Sequence, residues 1–155
     1  MKKLHLVLFA FFLLACGEQE TAIQDKLNLE EKLNGAWTAK AFDGELHESW
    51  HLNDDGWMEQ QGYYIEAADT SYSAKSQIMK VGEEVILFSV IKNSNPKIFK
   101  AIESMDNKLV FFNDDYSNPI KVTYKFQDSL NYRRTIQGKE NDSLVEYIFN
   151  FRKVN

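Results

Sequence analysis

Ile120, Val122, Tyr124 and Phe126 alternate with Lys121, Thr123, Lys125 and Gln127. A period of two is the mark of a half-buried β-strand, one face apolar and the other solvated. The theme recurs along the chain. Val145, Tyr147, Phe149 and Phe151 form a second apolar row, and Leu46, Glu48, Trp50 and Leu52 share one face of a third run. Val85 to Ile91 and Leu109 to Phe112 are more continuously apolar, as central strands are. Turn residues separate these runs. Asp43-Gly44 and Asp55-Gly56 are hairpin dipeptides, and Val81-Gly82-Glu83, Asn93 to Pro96, Met105 to Lys108 and Gln127 to Ser129 punctuate further on, with a polar loop from Gly138 to Asp142. The expected strands are about ten in number, near 36–42, 45–52, 57–66, 71–81, 84–91, 97–105, 108–113, 120–127, 130–137 and 143–152. Short strands joined by tight turns make an antiparallel meander, and a meander this long curls and closes because closure removes both exposed edges. The expected fold is an all-β, up-and-down barrel.

Before the strands the pattern differs. Ile23, Leu27, Leu29 and Leu33 fall at helical spacing, with Gly35 as the stop, so a short helix is expected ahead of the first strand. Further upstream, Lys2 and Lys3 precede an apolar run from Leu4 to Ala15. Such a run spans about 18 Å as a helix, short of the ~30 Å membrane core, and has the length of a signal-peptide core. Leu13-Leu14-Ala15-Cys16 resembles the lipobox of bacterial lipoproteins. The resemblance implies cleavage after Ala15 and a diacylglyceryl group on the Cys16 thiol. Cys16 is the chain's one cysteine, so no internal disulfide can form. Two or more acyl chains give durable anchoring where one gives marginal binding. Gly17 stands where an Asp would, in enterobacterial-type lipoproteins, prevent transfer to the outer membrane. The expected organisation is a signal over 1–15, a tether over 16–22 and one domain over 23–155, lipid-anchored in the cell envelope at the outer membrane.

Removal of Lys2 and Lys3 takes the 18 basic residues to 16 against 23 acidic ones, a net charge of −7. An acidic surface argues against nucleic acid and against electrostatic adhesion to anionic headgroups. Aromatic residues make up 14% of the chain, enough to build a dense core without disulfides.

Gly35-Ala36-Trp37, opening the first strand after the helix, looks like the G-x-W start of lipocalin-type barrels. The order of later features resembles an uncharacterised family of bacterial lipocalin-like domains, often lipoproteins. That family has an E-x-W strand, here Glu48-Ser49-Trp50, and a glycine-bearing strand, here Gln60-Gln61-Gly62. Its late F-x-N-P-x-H-D-F-P-x-x-I-x-Y segment corresponds to Phe111 to Tyr124, with Phe111, Asn113, Pro119 and Tyr124 agreeing and Val122 in place of isoleucine. The family's first Pro is Asp114 here, and its His-Asp-Phe is Tyr116-Ser117-Asn118. Whatever the His-Asp pair does in relatives, this chain cannot do with those side chains. The resemblance implies a barrel, and a barrel hosts many functions.

One string suggests chemistry. His47-Glu48-Ser49-Trp50-His51 is a literal HExxH, which on a helix puts two imidazoles on one face to grip zinc beside a general-base Glu. The segment is caught between two turn signals and is too short for such a helix. In a strand its histidines lie about 13 Å apart, beyond any shared zinc with ~2.0–2.1 Å bonds. The strand reading turns Glu48 inward with Trp50, where an unpaired carboxylate is costly. Arg134 is a candidate partner, because Leu130, Tyr132, Arg134 and Ile136 also share a face. Asn113-Asp114-Asp115 lacks the alternating ligands and central Gly of an EF-hand loop and reads as a solvated turn.

No catalytic set, cofactor motif or metal site emerges, and whether the chain is an enzyme stays open. The expected ligand-binding residues are Glu48, Trp50, Tyr64, Tyr124 and Arg134, lining a lumen that takes a small hydrophobic molecule. A rival reading is an envelope interaction module whose barrel is filled by its own aromatics. A zinc metallohydrolase with His47 and His51 as ligands rests on HExxH alone.

Overall fold

The computed structural model describes residues 28–154 apart from 68, 93, 116 and 117, with only the backbone at 72. The expected export signal, Cys16, the expected tether, the first half of the expected helix and the Tyr116-Ser117 pair lie outside the described residues. A single turn of helix, α1 (Leu29–Leu33), leads into ten strands: β1 (Gly35–Ala41), β2 (Gly44–Leu52), β3 (Met58–Glu66), β4 (Asp69–Val81), β5 (Glu84–Ile91), β6 (Lys97–Met105), β7 (Lys108–Phe112), β8 (Lys121–Phe126), β9 (Asn131–Glu140) and β10 (Ser143–Val154). Each strand pairs antiparallel with its neighbours in sequence, and β1 pairs with β10 to close the barrel. The all-β up-and-down barrel expected from the alternation is the fold.

The alternation sets the faces. Along β8, Val122, Tyr124 and Phe126 are buried while Lys125 is exposed. On β2, Leu46, Glu48 and Trp50 point in, and Leu52, expected on the same face, has run out of the end of the barrel and is exposed. The same overrun occurs on β10. Phe149 and Phe151 are buried, whereas Tyr147 lies where the β9–β10 hairpin extends past the rim. Gly138 to Asp142 is not a loop: β9 continues to Glu140, and the turn is Asn141 and Asp142, both at positive φ. The first hairpin also turns one residue early. Phe42 takes the left-handed conformation (φ 52°), and Gly44 already belongs to β2, where a Cβ would stand 2.2 Å from the carbonyl oxygen of Ile65. Gly44 is there for close approach to β3 and not for the turn itself.

The two ends of the barrel differ. At the lower end α1 closes the opening. Its cap is Asn28, whose Oδ1 accepts from the Glu31 N–H at 3.2 Å, and its Leu33 is fully buried. The Trp37 indole donates to the Leu33 carbonyl at 2.6 Å, fixing the helix to the first strand. Trp37, Trp50, Phe126, Tyr132 and Phe151 fill this half; Tyr132 stacks on Phe151 at 4.7 Å and meets Trp37 edge-on at 4.8 Å. In the upper half the inward positions of β1, β3, β4 and β5 carry Ala39, Ala41, Gly62, Ala74, Ser76 and Ser89. Small side chains there leave a space that the aromatics below do not reach.

Candidate functional site

That space is a cavity of about 160 Å³ within the upper barrel, with apolar walls including Leu46, Leu87, Phe99, Val122 and Phe149. Its polar lining is Ser73, Ser76, Ser89, Tyr124 and Arg134. Phe42 sits at its mouth, packing edge-on against Tyr64, Tyr147 and Phe149 at 6.0–6.5 Å between ring centres while remaining 75% exposed.

Behind the Arg134 of this lining stands Glu48. Strand pairing sets Glu48 across from Trp37 on β1 and Gly62 on β3, inside the barrel. Its Oε2 accepts from the Tyr132 hydroxyl at 2.8 Å and from the Trp50 indole at 3.3 Å. Its Oε1 lies 2.5 Å from Arg134 Nη1. This last contact is an ion pair set off the hydrogen-bond direction, because Oε1 has no aligned donor. The guanidinium also lies over the Phe151 ring, 4.7 Å from its centre. Burial alone would lower the Arg134 pKa, but the Glu48 carboxylate, with Tyr124 and Tyr132, holds it above its usual value. Burial pushes the Tyr124 phenol up to about 12, and Glu48 adds to the rise while Arg134 opposes it. Tyr132 is also raised well above its usual value, by burial first and by Glu48 second. At neutral pH this is one ion pair inside a shell of neutral phenols.

Several buried atoms have no hydrogen-bond partner among the described residues. They are Arg134 Nε, Glu48 Oε1 and both ends of the Gln60 side-chain amide. Gln60 faces inward beside Gly62, whose missing Cβ leaves room for the Gln60 Nε2 and the Ser73 hydroxyl. Unpartnered buried polar groups are uncommon; of these residues Arg134 lines the cavity, Glu48 stands behind it, and Gln60 lines a separate groove with His51, Glu59 and Gln77. A larger surface groove of about 360 Å³ runs beside α1, and none of these atoms lines it.

Of the residues expected to line a ligand site, Glu48, Trp50, Tyr124 and Arg134 come together, but only Tyr124 and Arg134 line the cavity; Glu48 and Trp50 stand behind them. Tyr64 does not join them; it stands at the mouth, against Phe42. The anticipated Glu48–Arg134 pairing is present. His47 and His51 point outward, 39% and 61% exposed, each beside a surface carboxylate: Glu45 at 3.4 Å and Glu59 at 3.5 Å. HExxH is here part of a strand, and its helical zinc geometry does not arise. The Asn113 side chain accepts from the Asp115 N–H at 3.1 Å, which makes that segment a turn.

Sequence reasoning missed Gln60, Ser76, Ser89 and Phe42. The first three sit at inward positions of alternating strands, so small or neutral polar residues on the apolar face were the signal. Phe42 gave none, because its role comes from a turn that begins one residue early. No family model, curated protein or solved structure matches the chain.

Proposed function

We propose that this is a lipid-anchored envelope protein, related to bacterial lipocalin-like domains, whose barrel binds a small and mainly apolar molecule. The cavity carries the reading. The upper barrel keeps an apolar-walled space whose lining includes Arg134, with a buried Nε that lacks a hydrogen-bond acceptor, and a closed barrel of this strand number has room for one small ligand. The Leu13-Leu14-Ala15-Cys16 string behind an apolar run supports the anchor. The filled-barrel rival keeps only the lower half, where the aromatics do interlock.

Native mass spectrometry on the protein taken from its own membranes tests the binding reading. A small non-covalent adduct is expected on wild type and is lost in Ser89→Phe, which grows a ring into the cavity from β5. No adduct on wild type, with no uptake of added apolar molecules, would sink it. Radioactive palmitate should label wild type and not Cys16→Ala; an unlabelled wild type refutes the anchor.

A further inference from the structure

We infer that the lumen selects an uncharged ligand, a compact apolar molecule bearing one hydrogen-bond-accepting oxygen such as a ketone or ester, and rejects carboxylates and amines of the same size. The inference rests on the lumen being the ligand site and adds what kind of ligand enters it.

Charge balance is the first argument. Among the described residues the buried charged side chains are Glu48 and Arg134, and they neutralise each other at 2.5 Å. Glu48 is not free to swing away to make room for an incoming anion. The Tyr132 hydroxyl and the Trp50 indole hold its other oxygen, and strand β2 fixes its backbone. A ligand carboxylate would therefore arrive beside a carboxylate already in place, with the guanidinium charge spent. An ammonium would arrive beside the guanidinium. Either would be desolvated without a counter-charge.

Unmet hydrogen bonds are the second. Among the described residues Arg134 Nε is a buried donor without a hydrogen-bond acceptor, on a side chain that lines the cavity. A neutral carbonyl or ether oxygen satisfies such a donor without disturbing the ion pair. The serine hydroxyls offer less, since Ser76 and Ser89 bond each other at 2.9 Å. Size is the third argument. A cavity of about 160 Å³ is close to the ~150 Å³ of an engineered protein cavity that takes up benzene, so the ligand body is on the order of six to ten heavy atoms. A long acyl chain has nowhere to go, because Trp37, Trp50, Phe126, Tyr132 and Phe151 fill the barrel below.

Octanone, octanoate and octylammonium make a matched set of probes. Each is titrated into the purified protein near neutral pH, following the indole N–H resonance of Trp50, the group that touches Glu48. Octanone should bind at least about tenfold more tightly than either ion, the scale of one uncompensated charge inside a protein. Octanoate or octylammonium binding as tightly as octanone overturns the inference and leaves the ligand reading standing. If none of the three binds, the ligand reading falls and this inference falls with it. Glu48→Gln keeps an acceptor for Tyr132 and Trp50 but frees the guanidinium charge, so octanoate should gain roughly tenfold or more relative to octanone. An unchanged ranking in the folded variant overturns the role given to the pair. Should that variant not fold, the wild-type ranking decides alone.

Discussion

The lower and upper halves of this barrel share strands but not a purpose. Below, rings from β1, β2, β8, β9 and β10 interlock and α1 covers the end, leaving Trp37, Trp50, Phe126, Tyr132 and Phe151 at most 3% exposed. Above, the same strands and their neighbours turn alanine, glycine and serine inward and leave a cavity under an exposed phenylalanine. An aromatic-rich chain is therefore not the same as a filled barrel. Which end the large side chains occupy decides whether a lumen exists, and a fold can concentrate its stability at one end while the other stays accessible.

If that division holds, substitutions should differ by half. The largest effect belongs to the lower end. Trp37→Ala loses a buried ring and the indole bond that holds α1, and should destabilise by ~3–5 kcal/mol in urea unfolding. Phe126→Ala should fall in the same range, and a value under ~1 kcal/mol for either would break the comparison. At the boundary between the halves, Glu48→Ala leaves the Arg134 guanidinium buried without its partner, again ~3–5 kcal/mol.

High pH probes the same boundary. Unfolded tyrosines ionise near pH 10, whereas folded Tyr124 holds its proton to about 12 and folded Tyr132 is raised as well. The unfolded chain then binds fewer protons over that window. Stability fully present below pH 10 should drain away as the pH rises toward 12. Tyrosinate absorbance should leave two of the seven phenols un-ionised until the protein unfolds; ionisation of all seven before unfolding would contradict the burial of Tyr124 and Tyr132.

At the upper end the effects shrink. Phe42→Ala should cost under about 1 kcal/mol, since the ring is mostly exposed, yet it should speed ligand exchange at the mouth. Unchanged exchange rates would mean that Phe42 does not guard the cavity. Smallest of all, Lys125→Ala on the outer face of β8 should change stability by less than ~0.5 kcal/mol. A cost near that of its neighbour Phe126 would refute the inward–outward assignment on which both halves depend.

Strand positions were legible because they are a local property. Val122, Tyr124 and Phe126 announce their face through neighbours one residue away, and the runs between turn residues fall within a few residues of the observed strands. The Glu48–Arg134 pairing was legible for a related reason. A charged residue on an apolar row needs a partner on another apolar row, and few candidates exist. The cavity was not legible. It depends on Ser76 of β4 pairing with Ser89 of β5, beside Ala74, and facing Leu46, Phe99 and Phe149 across the barrel, which is a matter of register between strands. Nor was the start of the first turn, where Asp43-Gly44 looked like the hairpin pair. The close approach of Gly44 to Ile65, a contact with a different strand, displaced the turn onto Phe42.

Closure of the barrel rests on a short seam. Ala36, Trp37 and Thr38 of β1 pair with Val154, Lys153 and Arg152 of β10, a far briefer ladder than the one joining β9 to β10. The two halves of the seam stand at opposite ends of the described chain, so β1 is synthesised first and must wait for the last strand to arrive. Until then its edge is an unsatisfied row of backbone donors and acceptors, open to pairing with any other chain. Closure thus waits on a contact between strands at opposite ends of the described chain, and such contacts form slowly. Loss of the last few residues would strip the seam and reopen both edges, turning a self-contained ring into a sheet prone to join its neighbours.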